Sequence, residues 1–304
     1  MLQKPFLARC DNRKLLPREN PVAGAPEHWF TNPILSEFGK VGISFDFFVN
    51  WSLNPYQLTP NIWIKRILNV PPASLTDSDI QKILINSEGE DYLLLLATYA
   101  ERQGLRLTYL LFRDIKWGKE AEDIVGVTVT RSNSGVSLAV QRITLDILQR
   151  TIRTHSGGEV RVGEKGLTYG TSELECYLST TNSAYPGDVD LVVLDVETLD
   201  PEVILEYKKH NLSTSISEQK LGNYYPHPDR RKYDRLAILR DHLKPIPVLL
   251  NLYYPTNPET NACIEIVDGE PGKLVPSNRE LIALPKKGDI DSYRAFVGKV
   301  LSLI

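Results

Sequence analysis

Runs of apolar residues and their spacing divide the chain into elements most clearly in its second half. Leu191 to Val196 is a strongly apolar run and Val203 to Tyr207 is another, with Thr198-Leu199-Asp200-Pro201 between them. The pattern predicts two strands joined by a turn. Asp229 to Leu243 carries apolar residues at Tyr233, Leu236, Ala237, Leu239 and Leu243, the stripe of a helix with an acid at its start. Pro245 and Pro247 end it, and Val248 to Tyr254 predicts the next strand. In the first half, Thr76 precedes a predicted helix whose first turn holds Asp77 and Asp79, and Tyr92 to Gln103 predicts a second, ended by Gly104. Leu105–Phe112 and Ile124–Thr130 suit strands, and Gln141–Thr154 suits an amphipathic helix. Residues 1–30 read as an extended arm, because five Pro and Gly residues stand among charges there. Residues 31–72 read as short aromatic-rich elements broken by Pro55, Pro60, Pro71 and Pro72. Helices alternating with buried strands predict an α/β (or α+β) fold with a central mixed sheet flanked by helices.

A chain of 304 residues holds one large domain or two ordinary ones. His155-Ser156-Gly157-Gly158 is the best boundary, dividing residues 1–155 from residues 156–304. No internal repeat is visible. The longest apolar runs fall far short of the ~20 residues that span a bilayer, so no membrane partner is expected. Three scattered cysteines, Cys10, Cys176 and Cys263, suggest neither a disulfide framework nor a zinc site. With no signal-peptide pattern at the start, the expectation is a soluble, cytoplasmic protein of a reducing compartment. The net charge of −3 gives no global basic signature. It hides an uneven distribution, because Lys208 to Lys244 holds nine basic residues against four acidic ones.

The segment that carries candidate chemistry is Gly187-Asp188-Val189-Asp190-Leu191-Val192, followed by Leu205-Glu206-Tyr207-Lys208. Side chains alternate along a strand, so Asp188 shares a face with Asp190, and Glu206 with Lys208. An antiparallel hairpin centred on Thr198 sets residue 190 opposite 206 and residue 188 opposite 208. Directly opposed side chains lie about 4.5–5.5 Å apart at Cβ, close enough for two carboxylates to share one hard divalent cation. A neighbouring lysine offsets their repulsion and can orient an attacking water. The arrangement suits phosphodiester hydrolysis. Asp190, flanked by apolar residues, is preferred to Asp188, which follows Gly187 and is placed to cap the turn. The plain structural alternative is a surface hairpin in which Asp190, Glu206 and Lys208 form an ordinary salt bridge.

An acid at the start of an apolar strand, followed after a turn by Glu-x-Lys at the end of the next strand, resembles the PD-(D/E)xK nuclease superfamily. The likeness covers roughly residues 170–255. It implies a restriction-endonuclease-like core with Asp190 and Glu206 as metal ligands, a backbone carbonyl ligand from Tyr207, and Lys208 orienting water. It also implies Mg²⁺ as cofactor, with Mn²⁺ as a substitute. Many members add a Glu from a preceding helix, and Glu175 in Thr171-Ser172-Glu173-Leu174-Glu175 is preferred to Glu173. Ser172 and Glu175 equally have the spacing of a capping box, a purely structural role. Gln219 is followed by Tyr224 and Tyr225 at the wrong spacing for the exonuclease-like branch.

The leading expectation is a Mg²⁺-dependent, type II restriction-like DNA endonuclease. Residues 156–304 would be catalytic and residues 1–155 would serve recognition or dimerisation. Arg230, Arg231 and Lys232 in the basic arm would meet phosphates. A homodimer would cut both strands by symmetry. The competing expectations are a repair or recombination nuclease acting on structured DNA, and a non-catalytic nucleic-acid-binding protein that keeps the nuclease fold.

Overall fold

The computed structural model describes residues 2–118, 124–163, 166–211 and 214–303. The chain begins with two short strands, β1 (Leu2–Gln3) and β2 (Ala8–Arg9), and two short helices, α1 (Pro26–Trp29) and α2 (Asn32–Ser36). Then come β3 (Lys40–Asn50), β4 (Gln57–Leu68), α3 (Asp77–Glu88), α4 (Glu90–Arg102), β5 (Arg106–Phe112), β6 (Ile124–Ser132), β7 (Gly135–Ile143) and α5 (Leu145–Ser156). The remainder is β8 (Tyr169–Gly170), α6 (Glu173–Ser179), β9 (Gly187–Asp195), β10 (Pro201–His210), α7 (Arg230–His242), β11 (Val248–Pro255), β12 (Asn261–Glu270), β13 (Lys273–Ala283) and α8 (Ile290–Leu301).

These elements form two compact units. Unit 1 is Met1–Pro17 with Phe45–Asp188, and unit 2 is Arg18–Ser44 with Val189–Ile304. The chain therefore passes between units after Pro17, Ser44 and Asp188, not at His155–Gly158. That Gly-containing segment is the end of α5, with Gly157 left-handed at φ 73° as its C-cap.

Each unit is a mixed α/β assembly with a mostly antiparallel sheet. In unit 2, β9 pairs antiparallel with β10, β10 pairs parallel with β11 across the α7 connection, and β12 and β13 continue antiparallel. β10 and β11 are buried on both faces along most of their length. One face packs Leu191, Val193, Val203, Leu205, Leu250 and Leu252 against Trp29 and Phe30, Ile34 and Leu35 of α2, and Phe296, Val297 and Val300 of α8. Gly42 is required here, since a Cβ would come within 2.7 Å of Leu191 Cδ1 and 2.8 Å of Leu35 Cδ1.

Unit 1 follows the same order of pairings. β3 pairs antiparallel with β4, β4 pairs parallel with β5 after the α3–α4 crossover, and β6 and β7 continue antiparallel. Helix α5 follows β7 in unit 1 as α8 follows β13 in unit 2. Its apolar side packs against Phe48, Trp63, Ile67 and Leu110. A repeat of topology is thus present where the sequence shows none, because strand pairing preserves order and direction while side chains diverge.

Several expectations need correction. Pro60 does not break β4; it sits where the β3–β4 register shifts between Phe47 and Phe48, and a bulge tolerates the missing donor. Gln141–Ile143 ends β7, and the helix begins only at Leu145 after the Thr144 cap. Cys10 and Cys176 form a disulfide with Cα atoms 5.4 Å apart, and only Cys263 is free. The bond joins residues 166 apart in sequence, a pairing that spacing alone does not reveal. It removes the ground on which a reducing compartment was expected. No helix among the described residues is long and apolar enough to cross a membrane.

Candidate functional site

The β9–β10 hairpin is held at its turn by Asp195, whose Oδ1 accepts from Glu197 N at 3.0 Å and Thr198 N at 2.9 Å. Together with Lys40, 3.2 Å from Oδ2, these donors hold its carboxyl down at about 2. Leu199 completes the turn at φ 55°. From this turn the ladder runs Val203↔Val193, Ile204↔Val192 and Leu205↔Leu191, the register expected from a turn centred on Thr198. The ladder ends there, one residue short of Glu206 and Asp190. There Asp190 Oδ2 accepts from Tyr207 N at 2.6 Å, so its side chain reaches the edge of β10 where the paired backbones end.

Glu206 is fully buried, and Lys208 is 8% exposed. Lys232 Nζ lies 2.6 Å and Lys208 Nζ 3.3 Å from Glu206 Oε1. Neither contact has hydrogen-bond alignment, and both carboxylate oxygens lack a partner of that kind. Lys208 Nζ also lies 2.8 Å from Asp229 Oδ2 at the start of α7, and packs over the rings of Tyr224 and Tyr233. The structure therefore brings Glu206 and Lys208 together, with Asp190 on the neighbouring strand. It adds Lys232, expected only in the basic arm, and Asp229, expected only as the acid at the start of the helix. Arg230 instead lies 3.4 Å from Asp234, and the buried Arg240 donates to the Val267 and Gly269 carbonyls.

The Tyr207 ring is on the other side of the sheet, stacked on Phe30 at 6.0 Å, where burial raises its phenol well above its ordinary value. Its backbone N–H meets Asp190, whose charge is also among the causes that raise the phenol.

Glu175 belongs to a different cluster, in unit 1. Its Oε2 accepts from Thr171 N at 2.8 Å and lies 3.5 Å from Lys65 Nζ. Lys65 Nζ is 3.1 Å from Asp46 Oδ1 and 4.5 Å from the centre of the Tyr185 ring. Burial pushes the Asp46 carboxyl up to about 7 against the pull of Lys65, with Asp188 and Glu175 adding repulsion. The same three carboxylates raise the Lys65 ammonium. Asp188 thus acts on Asp46 and Lys65, while Glu206 and Lys208 lie in unit 2. The capping reading of Ser172–Glu175 holds in half: Ser172 Oγ accepts from Glu175 N at 3.1 Å, but the Glu175 carboxylate turns to Thr171. The backbone N–H of Glu173 donates to Asp114 Oδ1.

Two further buried polar residues, Asn251 and Glu265, share the Glu206 face, with the exposed Arg279 at its edge. Cross-strand register places Glu206 beside Asn251, Asn251 beside Glu265, and Glu265 beside Arg279. Asn251 and Glu265 are at most 1% exposed. Sequence reasoning passed over them because each stands alone in an apolar strand. The usable signal was their common phase with Glu206 across β10, β11 and β12. Beside this row, a cavity of ≈ 660 Å³ is lined by Ser217, Gln219, Lys220, Asn223, Tyr224 and Arg279 among others. Tyr224 links it to Lys208, and its hydroxyl donates to Gln219 Oε1 at 2.9 Å.

Among the described residues, no group of three or more His, Cys, Asp or Glu side chains is set to hold a metal ion. Mg²⁺ needs fewer, since it is commonly held by one or two carboxylates with water completing its shell. Glu206 Oε2, which has no hydrogen-bond partner, fits such an ion, while Oε1 is held in ion pairs with Lys232 and Lys208.

No known protein family and no curated protein matches the sequence. A search of solved structures returns the sex pheromone staph-cAM373 precursor at 9% identity, covering 78% of this chain and 74% of that one with a TM-score of 0.17. A likeness that low carries no argument about fold or function.

Proposed function

We propose that the chain is a Mg²⁺-dependent DNA endonuclease whose site lies in unit 2 on Asp190, Glu206, Tyr207 and Lys208. The observation that carries this reading is Glu206, a fully buried carboxylate with two oxygens lacking aligned donors. A carboxylate kept in that state costs stability, so it needs a reason. Its place two residues before Lys208, beside Asp190 on the adjacent strand, supports a reading as half of a cation site.

Mg²⁺, when bound, supplies polarisation of a phosphoryl oxygen and acidification of water. The chain's own groups do the rest. Glu206 and Asp190 provide anionic oxygens. The Tyr207 carbonyl leaves the strand on the same side as its N–H, toward Asp190. Lys208, fixed by Asp229 and two aromatic rings, presents an ammonium that can orient water and neutralise charge developing on phosphorus-bound oxygens. Lys232 stands where a cation would, with a side chain 30% exposed that is long enough to turn to a phosphate. Glu175 is left out of the proposed site, because its partners are in unit 1.

The test is cleavage of supercoiled and linear duplex DNA in Mg²⁺. Glu206→Gln and Lys208→Ala should abolish cutting while each still binds DNA. Cleavage by both variants at the wild-type rate would remove the site.

A further inference from the structure

Asn251 explains itself poorly as a structural residue. It is fully buried, and its Nδ2 donates to the Tyr253 hydroxyl at 2.9 Å. That hydroxyl in turn donates to Glu265 Oε2 at 2.8 Å, and Leu221 N donates to the same oxygen at 2.6 Å. The chain of donors fixes which way the amide points. Tyr253 spends its single proton on a carboxylate, so toward Asn251 it can only accept, and Asn251 must offer its NH₂ end. Oδ1 is therefore the other end, and it is buried with no partner.

The neighbour of Asn251 in the parallel β10–β11 ladder is Glu206, about 4.8 Å away at the backbone. Two buried acceptor oxygens, Asn251 Oδ1 and Glu206 Oε2, thus share one face without a hydrogen-bond donor, while Glu206 Oε1 is ion-paired with Lys232 at 2.6 Å and Lys208 at 3.3 Å. Each unsatisfied buried acceptor costs about 1–3 kcal/mol. Unit 1 makes clear that the fold does not require this. The face of its sheet on which the crossover helix α3 lies is marked by the Arg66–Glu88 pair. On that face β4 and β5 carry Ile62, Ile64, Leu107 and Tyr109, with no carboxylate on either strand.

We infer that Asn251 is a ligand in its own right, its amide oxygen joining the Glu206 carboxylate to hold a hard divalent cation. Amide and carboxylate oxygens are the donors such ions prefer. The hydrogen bonds through Tyr253 and Glu265 keep Asn251 Oδ1 presented, as supporting contacts do for metal ligands generally. This inference rests on the proposed site and extends it to a third strand.

The experiment is Mn²⁺ binding to the full chain, read by electron paramagnetic resonance and by the Mn²⁺-induced rise in melting temperature, without DNA. Asn251→Leu, nearly the same size, should weaken Mn²⁺ at least about tenfold. Asn251→Asp should bind Mn²⁺ more tightly than wild type and show the larger thermal shift, because it adds charge to the ligand set. It also covers the case in which the Leu variant fails to fold. Should both variants bind Mn²⁺ like wild type while Glu206→Gln does not, Asn251 is no ligand and the site on Glu206 stands. Should the wild-type chain bind no Mn²⁺, the cation site itself falls, and the role of Asn251 with it.

Discussion

Replacing Glu206 by Gln separates a carboxylate kept for a ligand from one kept for the fold. Around Glu206 stand the ammoniums of Lys208 and Lys232, and Lys208 is shared with the Asp229 carboxylate. The substitution removes the charge between the two lysines. Lys208 keeps Asp229 at 2.8 Å, and Lys232 is 30% exposed and can return to water. What is removed is a fully buried charge without aligned donors, whose desolvation costs several kcal/mol against a Coulomb gain of similar size. The expected change in unfolding free energy, without divalent cation, is therefore within about 1 kcal/mol of zero. An ordinary buried ion pair behaves differently, because removing one partner costs about 3–5 kcal/mol. Since the chain has two units, a single global transition is a poor measure. Amide hydrogen exchange of β10 and β11 in chelator reads unit 2 directly. A loss of about 3 kcal/mol or more in those amides would make Glu206 a structural partner of its lysines and refute the reasoning. Lys65→Met in unit 1 is the contrasting case. It strands Asp46, Glu175 and Asp188 without their ammonium and should cost about 3–5 kcal/mol in the exchange of β3 and β4.

Two further predictions concern unit 1. Asp46 titrates near 7 in the folded chain and near 3.8 when unfolded, so between these values the folded state holds more protons. Its contribution to stability accordingly falls as pH rises from about 4 to about 7, and Asp46→Asn should flatten that slope in pH-dependent exchange of β3; an unchanged slope would assign the titration elsewhere. Reducing Cys10–Cys176, or replacing both by Ser, should lower the stability of unit 1 by about 2–5 kcal/mol, measured by urea unfolding with and without reductant.

What could be read from the sequence was what local patterning controls. The helix that follows Thr76 with Asp77 and Asp79 in its first turn, the β9–β10 register and α7 all follow from residues within a turn or two of one another. The turn at Thr198, together with the register shift between Pro201 and Val203, sets Leu205 against Leu191. The passage of segments between units did not show, because it depends on where strands pair rather than on what they contain. Glu175 sat at a plausible distance from Asp190 in sequence, yet its helix belongs to the cluster around Lys65. Asn251 carried no signal by itself. It acquires meaning only beside Glu206, on a strand that the chain reaches after the whole of α7.

The interleaving of the two units sets an order of events during synthesis. The first segment of unit 2, Arg18–Ser44, is made before nearly all of unit 1, yet the strands it must pack against begin at Val189. Trp29, Phe30, Ile34 and Leu35 belong to the unit 2 core. At roughly 5–20 residues per second these side chains wait roughly 7–30 s for their partners. Unit 1 can close during that interval, because its last residue is Asp188. Truncation has a matching consequence: a cut at any single point between Ser44 and Val189 leaves unit 2 without its first helices. The part of the chain that follows such a cut lacks Trp29, Phe30, Ile34 and Leu35 of the unit 2 core.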